Sequence, residues 1–385
     1  MTIRVRAERE LAAIRASEGA WQALAERALV ANPFYEPWFL LPALEHLDDV
    51  KNACVLFVED GAALLAVCPL SLGTLQVAQG GRTIVTWARL LGHRYSMEHT
   101  PLLAPERAHE AWAAILDHLA GQHAPVLALQ HLRADSAFAD VVRDVGAARG
   151  LPSFVRHTHE RALLLPDTDA DAYLEKAFSP KRRKDLRRNE RALRLAGTLE
   201  LPELRRGDGA DPGPFIEQFV ALEASGWKGR AGTAFGSSNA DRAFFAEVVR
   251  GGALHDRIWI ESATLDGTAV AMLCNLVVGD GSFSWKIAYD ERYARHSPGL
   301  FIEVVNLRRF HERDDLAWMD SGAIANHPLI DRLWVDRRRI EDRWLATGGR
   351  TGRAFVQLLP FAHRVVKSAR RLVRRGRSLA GRTAA

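Results

Sequence analysis

The stretch that most constrains this chain is GSFSWKIAYDERYARHSPGLFIEVVNLRRF, residues 281–310. Phe283, Trp285, Ile287 and Tyr289 alternate with Ser284, Lys286 and Ala288, and a period of two is the signature of a strand. Asp290 to Ser297 is polar and runs into Pro298-Gly299. Leu300, Val304 and Leu307 then recur at helical spacing, with Phe301 and Val305 beside them. Ser297 stands where an N-cap belongs, Pro298 suits the first helical position and Glu303 falls inside the first turns. A turn from a strand into a helix N-terminus aims free backbone N–H groups at one point, which suits a phosphate or pyrophosphate. Arg292, Arg295 and His296 share the loop. A plain strand–helix connection with surface arginines is the alternative at this stage.

The chain has 385 residues, enough for two domains of ordinary size. Hydrophobic residues make up 48% and charged residues 26%, an ordinary globular balance. Cys54, Cys68 and Cys274 each sit in an apolar run without metal-ligand spacing, so we expect buried, reduced thiols in a cytoplasmic protein and no bound metal. The first 19 residues are charged throughout, which reads as no signal peptide. The longest apolar stretch, Ala62 to Ala78, is too short and too interrupted to span a bilayer. The net charge of +5 conceals an asymmetry: residues 350–385 hold ten Lys or Arg and no acid, leaving residues 1–349 at −5. This argues for a local interaction of the tail and against a protein coated in nucleic acid.

In chain order, Leu11 to Val30 reads as an amphipathic helix. Pro33, Pro37 and Pro42 punctuate an aromatic segment. Two β-rich runs, Ala53–Val58 and Ala63–Leu70, flank an Asp-Gly hairpin signal. Thr83–Leu91, Val126–His131 and Arg161–Leu165 read as strands, and His109–Leu119 and Asp135–Gly146 as helices. Asp169 to Ala196 reads as one helix carrying KRRKDLRRNERALR from Lys181, in which eight residues are basic. That block suits a phosphate or polyanion contact, or a solvated helix with Leu186 and Leu193 facing inward. The second half then reads as a strand near Thr198–Leu204, two helices (Phe215–Trp227 and Asn239–Arg250) and a three-strand meander, Arg257–Leu265, Ala269–Val278 and Phe283–Tyr289. Helix Gly299–Arg313 follows, then strands at Leu316–Met319 and Arg339–Trp344. Mixed hairpins and helices imply an α/β or α+β fold with mixed sheets.

The motifs KRRKDLRRNERAL (181–193), EASGWKGRAGTAF (223–235), WKIAYDERYARHSPGLF (285–301) and MDSGAIANHPLIDRLW (319–334) resemble the BioF2-like (CelD-type) acetyltransferases of the GNAT fold, relatives of the FemABX peptidyltransferases. The resemblance covers about Asp169 to Trp344. It implies tandem GNAT-like domains: a degenerate first one over residues 1–165, an acetyltransferase domain over 166–349, and a basic tail over 350–385. It also implies an acyl-CoA cosubstrate (acetyl-CoA above all) and a pyrophosphate loop at Arg295, His296, Ser297, Gly299 and Leu300. The family loop reads Arg/Gln-x-x-Gly-x-Gly/Ala. Here it reads Arg295-His296-Ser297-Pro298-Gly299-Leu300, with one glycine, and Pro298 removes one N–H donor.

Amine attack on a thioester needs a base near neutral pKa and a donor for the carbonyl oxygen, and no covalent nucleophile. Four candidate bases stand out. Glu223 falls near the middle of an apolar arc of roughly 160° on its helix, where a carboxylate is paired or working. Asp290 ends the central strand, and Asp320 leaves the next one at Asp-Ser-Gly. His327 precedes a proline in a loop. Each has a structural alternative: an ion pair for Glu223, Asx or other turns for the two aspartates, a plain loop histidine for His327. Trp227 and Lys228 look like part of a substrate loop, joined by Trp285, Lys286 and Tyr289.

The expected function is transfer of an acyl group to a small amine, an amino sugar or a cell-envelope precursor. A FemABX-like aminoacyltransferase using aminoacyl-tRNA and a non-catalytic module of polysaccharide assembly are the alternatives; DNA is not expected. In the tail, Phe361, Val365, Val366, Ala369, Leu372, Val373 and Leu379 occupy one helical arc of roughly 140°, opposite seven basic residues. This basic amphipathic helix suits an anionic membrane surface, so a cytoplasmic protein held peripherally at the inner face of the cell membrane is expected.

Overall fold

The computed structural model describes residues 3–76, 83–205, 207 and 209–362. The chain opens with β1 (Arg4–Glu8) and two short helices, α1 (Leu11–Arg15) and α2 (Glu18–Ala25). The single helix expected over residues 11–30 is broken at Ser17, whose backbone leaves helical geometry. The proline-punctuated segment forms helix α3 (Pro37–His46), with its first proline at N1 and Trp38, Phe39, Leu40 and Leu41 buried. Hairpin strands β2 (Ala53–Asp60) and β3 (Ala63–Gln76) meet at Gly61, which takes a left-handed φ of 59°. Then come β4 (Thr83–Leu90), β5 (Leu102–Leu103), α4 (Ala108–Gly121), β6 (Val126–Arg133), α5 (Ala137–Ala148) and β7 (Ser153–Leu164).

The expected helix from 169 to 196 is two helices, α6 (Ala170–Ala177) and the basic α7 (Pro180–Ala196). Ser179 divides them: its hydroxyl accepts the Arg182 N–H, and Pro180 fills N1. After short strands β8 (Leu199–Glu200) and β9 (Glu203–Leu204) come α8 (Gly213–Ser225), α9 (Trp227–Arg230) and α10 (Asn239–Leu254). The meander is β10 (Ile258–Leu265), β11 (Thr268–Val278) and β12 (Gly281–Tyr289). Helix α11 (Pro298–His311), β13 (Trp318–Asp320), α12 (Ile330–Leu333) and β14 (Asp336–Ala346) follow, and residues 349–362 form a closing helix.

One sheet runs through both halves in the order β1-β2-β3-β4-β6-β14-β7-β13-β12-β11-β10-β8. Each half repeats one plan: an antiparallel meander (β2-β3-β4 or β10-β11-β12), a helix, and a strand parallel to the meander's last member (β6 on β4, β13 on β12). The halves also exchange strands. β7, from the first half, pairs with β13, while β14, from the end of the second, lies between β6 and β7. This is the expected α/β fold of tandem GNAT-like units with mixed sheets.

The largest core joins first-half residues such as Trp21, Phe39 and Phe57 to Phe219 of α8 and to Phe244 and Phe245 of α10. Two smaller cores seat α11 on the other face, one with α6 and α12, the other with Leu193 of α7. Fully burying a side chain of this size stabilises by about 1.5–3 kcal/mol, so Leu193 is what fixes an otherwise polar helix. The three cysteines are buried and free. Among the described residues no helix is long and apolar enough to cross a membrane.

The closing helix packs Val356 on Val126 and Ala346, so the beginning of the expected tail is docked on the body. The amphipathic pattern of residues 361–379 lies almost wholly outside the described residues, which end at 362.

Candidate active site

Strands β12 and β13 pair only through Gly281–Phe283 and Trp318–Asp320. β13 then ends, while β12 continues six residues to Tyr289 beside β11 alone. The parallel pair thus opens into a wedge. On β12 a bulge sets Lys286 opposite Cys274 and Ser284 opposite Asn275, leaving Trp285 extra. A bulge re-aims side chains. The simple alternation expected for this strand therefore breaks at Trp285. Phe283, Trp285 and Ala288 join the core shared with α8 and α10, whereas Ile287 and Tyr289 turn to the α11 side.

Lys286 follows the bulge. Its Nζ lies 4.5 Å from the ring centre of Tyr95, 5.2 Å from Phe235 and 5.9 Å from Trp285. Tyr95 comes from the first half, and its backbone carbonyl accepts the Trp285 Nε1–H. Burial first, and then the nearby Lys228 charge, push the Lys286 ammonium down to about 8 against the pull of Glu223 and Asp241. Lys228 Nζ donates to Glu223 Oε1 and to the Ile287 carbonyl, and Glu223 Oε2 accepts the Phe235 N–H. Beside this pair lies a small cleft bounded by Glu223, Trp227, Lys228, Ile287 and Tyr289, of ≈ 20 Å³. That is room for about one water.

At the far end of β12, Asp290 accepts the Arg292 N–H and binds the Arg292 guanidinium. Glu291 holds the Trp227 N–H and Arg230. Ser297 is left-handed, with φ of 52°, and its hydroxyl makes no cap bond, contrary to the simple N-cap expected. Pro298 is N1, and Phe301 makes the first backbone bond back to the Ser297 carbonyl. Gly299 is buried so close to Tyr289 that a Cβ would stand 3.0 Å from its ring. His296 and Ser297, with Arg308 of α11, border a cavity of ≈ 200 Å³ whose opposite wall is Arg183 and Arg187 of α7. The same walls carry Asp171, Glu175 and Glu190. Glu175 pairs with Arg183, and Asp171 lies 3.7 Å from Arg308. No ion pair engages Arg187 among the described residues. A cationic wall facing a helix N-terminus suits phosphate groups, so these residues fit the diphosphate of an acyl-CoA.

Three of the four proposed bases have committed oxygens. Asp320 is fully buried; Arg161 lies at its Oδ1 and Arg338 at its Oδ2. Burial alone would raise its carboxyl, but the two arginines outweigh it and hold it below the ordinary range. Asp320 is thus a structural ion-pair centre and not the free base that its place after the strand suggested. Asp290 is likewise corrected: the Arg292 hydrogen bonds lower its carboxyl and occupy both oxygens. Glu223 is inward-facing as expected, with Lys228 as its partner. His327 is half-buried, and its Nδ1 accepts the Ile330 N–H at the start of α12. Arg295 is exposed and donates to His296. Trp227 is 51% exposed. The structure thus joins Trp285, Lys286, Lys228 and Glu223, while Tyr289 packs on the α11 side and borders the small cleft beside Glu223 and Lys228. Tyr95, which no sequence signal marked, and Phe235, the last residue of the EASGWKGRAGTAF motif, complete the site. Glu303, in the first turns of α11, is buried with its Oε2 unpartnered.

Residues 180–327 match the model of the acetyltransferase (GNAT) domain. This part of the chain is thus a GNAT-type acetyltransferase domain. It is a transferase acting on acyl groups. No curated protein matches the sequence. The fold of this GNAT protein is similar to three solved structures. FemX aligns with a TM-score of 0.53 at 10% identity, over 85% of this chain and 95% of FemX. A Bacteroides thetaiotaomicron protein of unknown function gives 0.54 at 11% identity, over 89% and 99%. The C-terminal domain of a lysylphosphatidylglycerol synthetase candidate from Agrobacterium fabrum gives 0.53 at 13%, over 89% and 95%. At such identities the likeness is one of fold.

Proposed function

We propose that this GNAT protein transfers an acyl group, an acetyl group first of all, from coenzyme A to the amine of a small molecule, an amino sugar or an envelope-glycan precursor. The wedge between β12 and β13 carries this reading: Lys286 lies on the stretch of β12 that outruns its parallel partner, and the loop after that strand ends at the cationic cavity at the start of α11. In this reading the donor's phosphates rest between Arg183, Arg187 and the Gly299 and Leu300 N–H groups. Its thioester enters the wedge, where the bulge at Trp285 leaves a backbone group outside the ladder for the carbonyl oxygen. The amine approaches from the side of Tyr95, Trp227 and Lys228. Residues 166–349 bear this chemistry, and residues 1–165 act as a degenerate partner that supplies Tyr95.

The test is isothermal titration with acetyl-CoA, longer acyl-CoAs and coenzyme A, followed by release of the free thiol with a panel of amines. Micromolar acetyl-CoA binding supports the reading, and absence of binding to any of them removes it. A second reading, an aminoacyl-tRNA donor, draws on eight basic residues in α7 and on the fold shared with FemX. Charged tRNA that binds where acetyl-CoA does not would favour it.

A further inference from the structure

The chemistry proposed above needs a proton acceptor, and Glu223 is already engaged by Lys228 and by the Phe235 N–H. Lys286 differs. Among the described residues its Nζ forms no ion pair and no hydrogen bond; it faces three aromatic rings. It stands three residues past the point where β13 leaves β12, directly after the bulge, on the stretch that the acyl-transfer reading gives to the thioester. The charged and titratable groups around it come from every neighbouring element. They are Lys228 and Glu223 from the α8–α9 segment, Asp241 from α10, Cys274 from β11, and Tyr95 and His93 from the first half.

These neighbours act in opposite senses. The aromatic faces favour the ammonium, as do the carboxylates of Glu223 and Asp241. Burial and Lys228 favour the neutral amine. Lys228, moreover, is fixed in place by two acceptors, Glu223 Oε1 and the Ile287 carbonyl. The Glu223–Lys228 pair therefore fixes the position of Lys228, whose charge acts on Lys286 in the sense opposite to Glu223.

We propose that Lys286 is the proton acceptor of the acyl transfer, with the Glu223–Lys228 pair as the positioning unit that keeps its amine neutral. This rests on the acyl-transfer reading. The acceptor nitrogen attacks the thioester carbonyl carbon, forming the N–C bond. The neutral Lys286 Nζ takes the proton that the nitrogen loses. The C–S bond breaks with its electron pair on sulfur, and the Lys286 ammonium returns the proton to the thiolate or to solvent. No oxidant, metal or covalent enzyme intermediate enters the balance.

Two measurements test it. The first is competitive labelling of the full-length protein with acetic anhydride across pH 6 to 11, read peptide by peptide by mass spectrometry. The expected midpoint for Lys286 is about 8, and one near 10.5, the ordinary lysine value, overturns the proposal. The second compares wild type, Lys286→Met, Lys286→Arg and Glu223→Gln in thiol release from acetyl-CoA with hydroxylamine and small primary amines as probes. Removing a general base is expected to lower kcat by about 10²–10⁴ while leaving acetyl-CoA affinity unchanged. Glu223→Gln is expected to shift the rising limb of the pH–rate profile without abolishing it. A Lys286→Met protein with wild-type kcat and pH profile overturns the proposal. Lys286→Arg, which keeps the positive charge, separates loss of the base from loss of the fold. Absence of acetyl-CoA binding in wild type strikes the donor reading, and this role with it, while the labelling midpoint still reports the amine itself.

Discussion

Arg161 Nε lies 2.6 Å from Asp320 Oδ1, tying β7 of the first half to β13 of the second. Arg338 of β14 holds the other oxygen at 3.0 Å, and all three side chains are buried. Removing one member of such a group leaves uncompensated buried charge, typically at about 3–5 kcal/mol. Asp320→Asn is therefore expected to lower the unfolding free energy by that order, seen as an earlier midpoint in urea. A loss below about 1 kcal/mol would show that the arginines find other partners and that Asp320 is dispensable to the fold.

Gly299→Glu tests the pyrophosphate end of the site. A Cβ there would sit 3.0 Å from the Tyr289 ring, and the carboxylate would add negative charge where phosphates are proposed to lie. Coenzyme A binding by calorimetry is expected to disappear while the circular dichroism spectrum keeps its native shape. Unchanged affinity in the folded variant would place the donor elsewhere.

The opposite wall of that cavity gives a separable outcome. Arg183→Ala with Arg187→Ala should weaken coenzyme A binding and make it less sensitive to salt, since exposed charge pairs are screened. Dephospho and pantetheine analogues serve as controls. If the pair of substitutions weakens pantetheine as much as coenzyme A, α7 acts through the fold and not through phosphate.

Glu303 makes the stability of the protein depend on pH. Burial pushes its carboxyl up to about 8, against an ordinary value of 4.5. Between those two values the folded protein holds a proton that the unfolded chain has released. Stability should therefore fall as pH rises from about 4.5 to about 8, by up to ~1.4 kcal/mol per pH unit. Glu303→Gln removes this slope, and a Tm series at pH 5, 6, 7 and 8 should show the wild type losing ground to the variant. Parallel curves would mean that Glu303 is ionised in the folded state.

The sequence revealed the elements around the site more readily than the site itself. The alternation of Phe283 to Tyr289 and the Ser297-Pro298-Gly299 signal identified β12 and α11, because both are local patterns of apolar spacing and capping. Alternation alone did not reveal the bulge at Trp285, which depends on the register of β11. The break between α6 and α7 was marked by Ser179-Pro180 but outweighed by the helical charge pattern around it. The turns weighed for Asp290 and Asp320 are present, through the Arg292 and Gly322 N–H groups, but their arginine partners were not legible, because Arg161 is far away in sequence and the Asp290–Arg292 contact is decided by a loop conformation. Tyr95 and Phe235 meet Lys286 only through tertiary packing, and no spacing in one chain encodes that.

The tail gives a membrane test. Residues 363–385 carry eight Lys or Arg and no acid. Each basic side chain near an anionic bilayer contributes about 1 kcal/mol. The full chain should float with anionic liposomes at low salt, and a chain ending at Ala362, which keeps the docked helix, should not. Equal flotation of the two, or none of the full chain on anionic lipid, would rule out the membrane reading.

The strand exchange bears on how the protein is made. Among the described residues β14 comes after every other strand in chain order, and it is the one that fills the gap between β6 and β7. Until it arrives, two long strands present unpaired edges to the cell, which invites wrong pairing. Closing the sheet then waits on contacts some two hundred residues apart, a slow step by its topology. A chain that ends before β14 would therefore keep every residue around Lys286, yet its sheet would remain open between β6 and β7.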